Sequence, residues 1–433
     1  MPLIVQKYGG TSVADPDRMR AVAENVAFTR RHGNDVVVVV SAMGKSTDNL
    51  IALAAQVSDT RPGREMDMLL TTGERVSAAL LTMALADLGI AAVSFTGSQV
   101  GIITDTTHGM AKILEVKGDR VRQALAADKV AVIAGFQGVS TAKEVTTMGR
   151  GASDLTASAL AKALHADACE IYTDVTGVFS ADPRVVPQAR KLTRVSFDEM
   201  LEMAGAGSKV LALRSVEFAR NHGVALHVRS AFTWEPGTWV TDHAHAGDAH
   251  TGNVHTGNQD GSVMEDPIIS GVVTDVSESK VTVLGVPDRP GISAALFEPL
   301  AESSINVDMI VQNTSTDGHT DISFTMPSSD LAVAEEIVKR VAGEIGASGV
   351  THDDDIAKVS LVGAGMKSSP GVAAKMFRTL SNEDVNIEMI STSTIRISVV
   401  TATRDVERAA RALHTAFGLD SGADYSAPLP ERR

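Results

Sequence analysis

The first 240 residues alternate short apolar runs with longer stretches whose apolar residues recur at helical spacing. The short runs predict strands over residues 3–7, 35–41, 91–95, 130–134, 168–173 and 225–229. The longer stretches predict helices over residues 15–32, 65–88, 118–128, 152–165, 196–205 and 209–222. Residues 36–40 are all Val, which is typical of a strand buried on both faces. This alternation predicts an α/β layered fold with a mainly parallel sheet, whose ligands bind at the carboxyl ends of the strands.

Residues 241–264 break the pattern, because they are rich in His, Gly, Asp, Asn and Thr and contain little to bury. The composition predicts a flexible linker. Its histidines could hold a transition metal, but a polar spacer is the favoured interpretation because nothing pre-organises a metal site. These histidines are His243, His245, His250 and His255.

The C-terminal part contains an internal repeat. Residues 280–285 (KVTVLG) match residues 358–363 (KVSLVG), so the period is about 80 residues, the length of a small domain. Each copy has the pattern strand, helix, strand, strand, helix, strand, which predicts a split βαβ (βαββαβ, ferredoxin-like) module. We expect domains at 265–345 and 346–426, whose terminal strands can be exchanged, and a tail at 427–433.

The first helix of each copy is predicted to begin after a Pro-Gly pair, at Gly291 and Gly371, so its N-terminus could bind a carboxylate. Neither copy has a catalytic constellation of its own. The repeat therefore favours regulation over chemistry.

Composition narrows the class of protein. The 433-residue chain carries a net charge of −14, which argues against nucleic acid as its main partner. Its single cysteine, Cys169, lies in an apolar run and is predicted to be a buried small hydrophobe, as suits a reducing cytosol. We find neither a signal peptide pattern nor an apolar run approaching the ~18 residues of a transmembrane helix, so a cytoplasmic location is expected.

The segment after the first predicted strand has the character of an anion site. Lys7 is followed by Gly9 and Gly10, two hydroxyls and then Asp15-Pro16, a helix start. Glycine amides, a helix N-terminus and a lysine together suit a phosphate. The neighbouring Gly44-Lys45-Ser46 is not a P-loop, since Val39 occupies the position of the first required glycine.

Further segments carry polar groups that packing does not explain. Glu74 lies in TTGER (71–75), which is predicted to interrupt a long helix, and its carboxylate must either pair with Arg75 or another cation or receive a ligand ammonium. Arg150 lies in GRGASD (149–154), where Ser153 and Asp154 are expected to cap a helix and the arginine fork suits a carboxylate.

Residues 172–184 (YTDVTGVFSADPR) form a polar loop whose charges have no packing reason, and GFQG (135–138) also ends a strand. Lys209 is predicted to open a helix, where a cation opposes the helix dipole unless an anionic ligand binds there. Together these segments predict a small-molecule kinase acting on an amino acid.

At this point the chain resembles a known family. KYGGTS (7–12), SAMGKSTDNL (41–50), TTGER, GFQG, GRGASD and the 172–184 loop resemble aspartate kinase, and the repeated modules resemble ACT domains. The resemblance covers the chain outside the linker and is closest in plan to the actinobacterial lysine-biosynthesis type. It implies an amino-acid-kinase catalytic domain over residues 1–240, followed by two ACT domains.

The resemblance also implies the reaction and the roles of single residues. ATP, with Mg²⁺, and L-aspartate would give 4-phospho-L-aspartate and ADP. Catalysis would rest on Lys7 and Asp154, with the phosphoryl path lined by Gly9, Gly10 and Ser41. Aspartate would be held by Thr47, Glu74, Arg150 and Ser153. ATP would be surrounded by Lys7, Thr173, Asp174, Phe179, Asp182, Arg184 and Lys209. No protein residue is expected to bind a metal directly.

Feedback inhibition by lysine, threonine or both would follow from the ACT domains. The implied effector residues are Asp288, Gly291, Ser293 and Gln312 in the first copy and Val372, Ala373, Asn386, Ile387 and Thr394 in the second. The family often has a carboxylate at position 394 and a hydroxyl at position 373, so the identity of the effector stays open. A homo-oligomer through the ACT domains is expected, and Met264 resembles the start of a separate regulatory subunit made by some relatives.

Two alternatives remain. One is a kinase of the same fold for another amino acid, such as glutamate or acetylglutamate, although those relatives usually lack tandem ACT copies. The other is a non-catalytic amino-acid sensor. An inert domain should have lost part of the constellation of Lys7, Glu74, Arg150 and Asp154, and all four are present.

Overall fold

The computed structural model describes residues 1–242, 268–313, 318–364, 366, 369 and 371–420. The strands of the N-terminal region are β1 (Leu3–Tyr8), β2 (Asp35–Val40), β3 (Ala92–Phe95), β4 (Ile102–Thr104), β5 (Ile113–Val116), β6 (Val130–Ala134), β7 (Gln137–Ser140), β8 (Val145–Thr147), β9 (Ala168–Thr173), β10 (Arg194–Ser196), β11 (Leu226–Ser230) and β12 (Thr238–Thr241). Its helices are α1 (Pro16–Arg31), α2 (Ser46–Val57), α3 (Gly63–Asp87), α4 (Gly97–Val100), α5 (Asp119–Ala126), α6 (Ala152–Leu164), α7 (Phe197–Gly205) and α8 (Leu213–His222). The predicted strands and helices of this region are thus present, within a few residues of their predicted bounds.

Eight strands form one large sheet in the order β10-β12-β11-β9-β1-β2-β6-β3. All neighbouring strands are parallel except β11 and β12. The mainly parallel α/β sheet predicted from the sequence is therefore confirmed. Four short strands form a second sheet, β5-β4-β7-β8, which was not predicted because strands of three or four residues are too short to show a period.

Helices cover both faces of the large sheet. Val37 and Val39 of β2 share a core with Leu160 of α6, while Val36, Val38 and Val40 share a core with α1 and α3 on the other side. The five valines are all fully buried, as predicted. Asp15 caps α1 by accepting a hydrogen bond from the Arg18 amide, and Pro16 is the first helical residue, also as predicted.

Two local predictions are wrong. Residues 71–75 do not interrupt a helix, because α3 runs without a break and Gly73 provides close contact rather than a bend. A Cβ at position 73 would lie 2.8 Å from the Ala42 Cβ. Lys209 does not open α8, which begins only at Leu213. The preceding Ala212 is extended, and its N–H donates to Asp154 Oδ2 at 3.4 Å.

The C-terminal region consists of two four-stranded antiparallel sheets, each packed with two helices. The strands are β13 (Ile268–Asp275), β14 (Glu278–Pro287), β15 (Ile310–Gln312), β16 (His319–Pro327), β17 (Gly349–Asp353), β18 (Ile356–Ala364), β19 (Met389–Thr392) and β20 (Arg396–Ala402). The helices are α9 (Ile292–Glu302), α10 (Leu331–Ile345), α11 (Val372–Asn382) and α12 (Val406–Ala416). Helices α9 and α11 begin directly after Gly291 and Gly371, as the repeat predicts.

The order of strands in these two sheets links the modules. The first module has the order β15-β16-β14-β17 and the second has β13-β18-β20-β19. Strand β13 precedes the first module in the chain but pairs with β18 of the second. Strand β17 lies beyond the expected boundary at residue 345 and pairs with β14 of the first module.

Cys169 is fully buried in β9, and burial raises the pKa of its thiol well above the ordinary value. This confirms the prediction of a buried, unreactive cysteine. Among the described residues, every helix is too short or too polar to cross a bilayer.

A buried polar cluster fixes three central strands together. Glu170 of β9 accepts hydrogen bonds from Gln6 of β1 at 2.9 Å and from Arg229 of β11 at 3.1 Å. Tyr8 and Tyr172 stack beside it with ring centroids 4.6 Å apart. Burial by itself would raise the pKa of Glu170, but its contacts with His227, Arg229 and Gln6 lower that pKa to about 2. The carboxylate is thus held ionised inside the sheet.

Replacing Glu170 with Gln should lower the free energy of unfolding at pH 7 by roughly 3–5 kcal/mol, because Arg229 loses its counter-charge in a buried site. Since the folded pKa lies below the unfolded one, the carboxylate's contribution is fully present above pH 4.5 and is lost as the pH falls towards 2. Urea unfolding at several pH values would measure both effects.

The matched control is Asp198→Asn, which removes the partner of Arg220 in an ion pair whose two side chains are half exposed. Exposed pairs contribute little, so this variant should change stability by less than about 1 kcal/mol. Equal effects of the two substitutions would contradict the role given to Glu170.

Candidate active site

Four parallel strands end side by side at one edge of the large sheet. Lys7 of β1 is level with Val39 of β2 and with Ile171 of β9, and Ala134 of β6 is level with Val40. The loops that follow these strands contain the predicted anion segments. The edge of the sheet thus brings together segments that are far apart in the chain.

Lys7 and Asp154 form an ion pair at this edge. The Lys7 Nζ lies 2.6 Å from Asp154 Oδ1, and both side chains are mostly buried, at 12% and 8% exposure. Asp154 is the third residue of α6 and also lies near the positive end of the helix dipole. The pair fixes the position of a lysine that still has access to solvent.

The predicted capping of α6 by Ser153 and Asp154 is wrong. The helix is preceded by Gly151 in a left-handed conformation (φ +76°) and has no side-chain cap. Asp154 is occupied by Lys7, and Ser153 packs against the end of β6, where a Cβ on Gly135 would lie 2.8 Å from the Ser153 Oγ.

Two glycines shape the loop after β1. One leaves space beside Lys7, and the other lets this loop approach the loop after β2. A Cβ at Gly9 would lie 3.4 Å from the Lys7 Nζ, so its absence leaves room beside the ammonium. A Cβ at Gly10 would lie 2.8 Å from the Ala42 carbonyl oxygen, so the loops after β1 and β2 can approach only with glycine there.

The cradle of amides is smaller than predicted, because the Gly9 N–H donates to the Tyr172 carbonyl at 3.3 Å. In the same loop, the Ser12 Oγ is buried and has no hydrogen-bond partner within the described part of the chain.

Glu74 is buried in α3 without a cation. Its Oε1 accepts a hydrogen bond from the Ala42 amide at 3.1 Å, while its Oε2 has no partner among the described residues. Arg75 does not neutralise it, since that side chain donates to Thr71 at 3.2 Å. Burial raises the pKa of Glu74 to about 7. Of the two interpretations given by the sequence, pairing with Arg75 is wrong, and the receptor for a ligand ammonium stays a prediction.

Arg150 is exposed at the mouth of the site. Its side chain is 83% exposed and pairs with Asp48 of α2 at 2.9 Å. Thr47 precedes Asp48 in the first turn of α2, and Ser41 follows β2. In this structure the arginine therefore pairs with a carboxylate of the protein itself, and its binding of a substrate carboxylate stays a prediction.

The sequence did not identify Asp48 as a partner of Arg150, because 102 residues separate the two in the chain. It also missed Arg214 of α8, which donates to the carbonyls of Met148 at 2.5 Å and Ala111 at 3.1 Å and so supports the loop that carries Arg150. A helical arginine carries no sequence signal for such a contact.

The predicted nucleotide loop begins at the end of β9. Thr173 donates to Asp174 at 3.0 Å next to the strand of Lys7. Asp182 and Arg184 lie farther along and pair at 2.6 Å, and the Arg184 hydrogen bond lowers the pKa of Asp182. Phe179 is partly buried and forms an isolated bridge with Lys191, and Lys209 is exposed between α7 and α8.

Among the predicted effector residues, Ser293 and Ala373 occupy matching positions of the repeat, each as the second residue of its helix. In the first, the Ser293 Oγ donates to Gln312 at 3.4 Å, linking α9 to β15, and Asp288 and Gly291 are exposed nearby in the chain. In the second, Val372 is buried in the core, while Asn386 and Thr394 are exposed and Ala373 and Ile387 are partly buried.

Two predictions fall outside the described residues, namely the metal-binding alternative for the linker histidines and the subunit start at Met264. Within the described residues there is no group of three or more His, Cys, Asp or Glu side chains that could hold a metal ion.

Comparison with known families finds one match in the N-terminal region and two in the C-terminal region. Residues 2–230 match the amino acid kinase family, and residues 280–346 and 359–417 each match the ACT domain.

Individual relatives cover almost the whole chain. The aspartokinase of Mycolicibacterium smegmatis is 54% identical over 97% of both chains. Among solved structures, E. coli aspartokinase III in complex with aspartate and ADP (R-state) is 25% identical with a TM-score of 0.79, over 96% of this chain and 99% of that one. The same enzyme with lysine and aspartate (T-state) is 25% identical with a TM-score of 0.72 over the same shares.

Proposed function

The chain belongs to the aspartokinase family and is an aspartate kinase, and on that premise we propose which of its residues carry the reaction. The observation that carries the proposal is the Lys7–Asp154 pair at the shared edge of β1, β2, β6 and β9, beside the open position at Gly9. A fixed cation beside free space is what the transfer of a phosphoryl group needs.

Lys7 is proposed to bridge the phosphates of ATP and to stabilise the charge that develops on the transferred group. Gly9, Gly10 and Ser41 are proposed to line the path of the transferred group. Asp154 holds the Lys7 Nζ in place, so the lysine does not have to be ordered when ATP binds.

The amino-acid end of the site is formed by Glu74 and Arg150. Glu74 is proposed to take the α-ammonium of aspartate, because its buried Oε2 lacks a partner and a cation there would stabilise the ionised form. Arg150 is proposed to take the α-carboxylate, which would replace Asp48, and Ser153 and Thr47 are proposed to contact the bound aspartate. The side-chain carboxylate of aspartate is then left free to attack.

No general base is required for this reaction. The nucleophile is a carboxylate with an ordinary pKa of ~3.9, so it is already ionised at neutral pH. The protein has to align two anions and to screen their repulsion, and both tasks are met by positioning and electrostatics.

ATP is proposed to lie along the loop after β9, with Thr173 and Asp174 near the phosphates and Phe179, Asp182, Arg184 and Lys209 around the remainder. Asp174 is an exposed carboxylate at the end of the strand beside Lys7, which fits a Mg²⁺ ion carried on the phosphates. The ion would supply further charge neutralisation there.

The ACT domains are proposed to confer feedback inhibition by lysine, threonine or both, acting through the two effector sites. Their edge strands support oligomerisation, because Ile310 of β15 and Ile390 of β19 are 51% and 45% exposed at the open edges of the two sheets. An uncovered edge with apolar side chains favours pairing with a second copy.

Replacing Lys7 with Ala should reduce kcat at least ~10³-fold, because the transition state loses a fixed positive charge. Coupled detection of ADP release with aspartate would measure it. The control is Lys129→Ala, which removes an exposed lysine immediately before β6, at the opposite end of that strand from the site. Turnover by the Lys7 variant within tenfold of wild type would contradict the assignment.

Replacing Glu74 with Gln should raise KM for aspartate and also stabilise the fold above pH 7. Burial makes the ionised Glu74 unfavourable, so wild-type stability falls as the pH rises from 4.5 through the folded pKa of about 7. The gain should reach up to about 3 kcal/mol above pH 7 and vanish near pH 4. Thermal unfolding across this pH range tests the gain in stability, and KM for aspartate tests the loss of binding. A variant with lower stability at pH 8 and an unchanged KM would refute the role given to Glu74.

Inhibition should appear when the ADP-release assay is repeated with lysine, with threonine and with both amino acids together. Because each module has its own effector site, we expect the pair to inhibit more strongly than either amino acid alone. Unchanged activity in all three mixtures would reject the regulatory proposal and leave the catalytic one intact.

A further inference from the structure

The distal part of the nucleotide loop, residues 180–190, leaves the catalytic domain and packs into the second ACT domain. Its base is a narrow hairpin, in which the Leu192 amide donates to Val178 at 2.8 Å and the Ser180 amide donates to Arg190 at 2.8 Å. Ala181 and Val186, at 6% and 1% exposure, belong to the same core as Leu361, Met376 and Leu413 of the second ACT domain. This loop is therefore part of two domains at once.

Ser180 is the polar centre of this junction. Its Oγ lies 2.9 Å from Nε2 of His414 on α12 and accepts a hydrogen bond from the Arg190 amide at 2.9 Å. Its carbonyl accepts from the Val272 amide of β13 at 2.7 Å. The His414 Nδ1 in turn lies 2.5 Å from Asp420 Oδ1.

Two further contacts reinforce the junction. The Arg411 Nε, also on α12, donates to the Val185 carbonyl at 2.7 Å, and the Arg190 Nε donates to the Leu419 carbonyl at 2.6 Å. Helix α12 and the residues after it thus form hydrogen bonds with the loop at Ser180, Val185 and Arg190.

The order Asp420, His414, Ser180 resembles the hydrogen-bonded triad of serine hydrolases. Hydrolysis is excluded here, because Ser180 and His414 are both 0% exposed and no substrate can reach the hydroxyl. The contacts must instead serve to position the loop.

We propose that His414 is a positioning residue for ATP binding, which makes the second ACT domain a structural part of the nucleotide site. The inference rests on the proposed function, since that assigns Phe179, Asp182 and Arg184 of this loop to ATP. Ser180 lies between Phe179 and Asp182, so its position sets theirs. Loss of Ser180 leaves the His414 Nε2 without this buried partner, and loss of His414 leaves the Ser180 hydroxyl without its side-chain partner. In either case the loop has to move to satisfy the remaining polar group.

His414→Ala and Ser180→Ala, made in the full-length chain, should each raise KM for ATP roughly tenfold and leave KM for aspartate within about twofold of wild type. Calorimetric titration with ADP should show the same loss of affinity without turnover. The double variant should show no greater loss than the larger single variant, since both substitutions remove one hydrogen bond.

Two controls separate positioning from general damage. Arg408→Ala removes an exposed residue of α12 whose guanidinium binds Asp405 and the Asp384 carbonyl, and it should leave both KM values unchanged. Leu380→Ala opens the core of the same domain on α11 and should lower Tm without a selective change in KM for ATP.

The inference is overturned if the folded Ser180 and His414 variants keep the wild-type KM for ATP, if both KM values rise together, or if the two effects add. Should the wild-type chain neither bind ADP nor phosphorylate aspartate, the proposed function fails and this inference fails with it. Normal wild-type turnover with unaffected variants rejects the inference alone.

Discussion

The catalytic half of the molecule depends on the ion pair between Lys7 and Asp154. A mostly buried ammonium requires a counter-charge, and Asp154 supplies it only if α6 begins directly beside the end of β1. The left-handed Gly151 starts the helix there, and Ser153 fits against Gly135 only because that residue has no Cβ. On the opposite face of the sheet, Gln6 and Tyr8, the neighbours of Lys7 in β1, belong to the cluster around Glu170. The lysine is thus held from both sides of the sheet.

Much of this arrangement could be predicted from the sequence, because it depends on local chemistry. The valines of β2, the Asp15-Pro16 helix start and the Pro-Gly starts of the ACT helices follow from periodicity and backbone preference alone. The features that could not be predicted depend on tertiary contacts. From the sequence Gly73 suggests a helix break, whereas in the structure it lets Ala42 pack closely against the helix. Likewise, the pairing of Arg150 with Asp48 depends on the position of α2. The sequence could predict that residues following parallel strands lie near one another, but it could not predict which atoms these residues contact.

The candidate site combines buried side chains on strands and helices with exposed side chains on loops. Lys7, Glu74 and Asp154 are buried on strands and helices, while Arg150, Arg184 and Lys209 are exposed on loops or at their margins. Under the proposed function, the groups that would stabilise the transferred charge are therefore fixed in advance, and the groups that would recognise the outer parts of the substrates can adapt. The raised pKa of Glu74 is a consequence of its burial, because a carboxylate without a cation in a dry environment is unfavourable in its ionised form.

The pairing of β13 with β18 has a consequence for the order of folding. Strand β13 is synthesised before the first ACT domain, but its partner at residues 356–364 follows about 80 residues later. At a synthesis rate of roughly 5–20 residues per second, β13 waits on the order of 4–16 s for that partner. During this interval the growing chain carries a strand with unpaired backbone groups, a natural point of contact for chaperones and a place where two nascent chains could exchange segments.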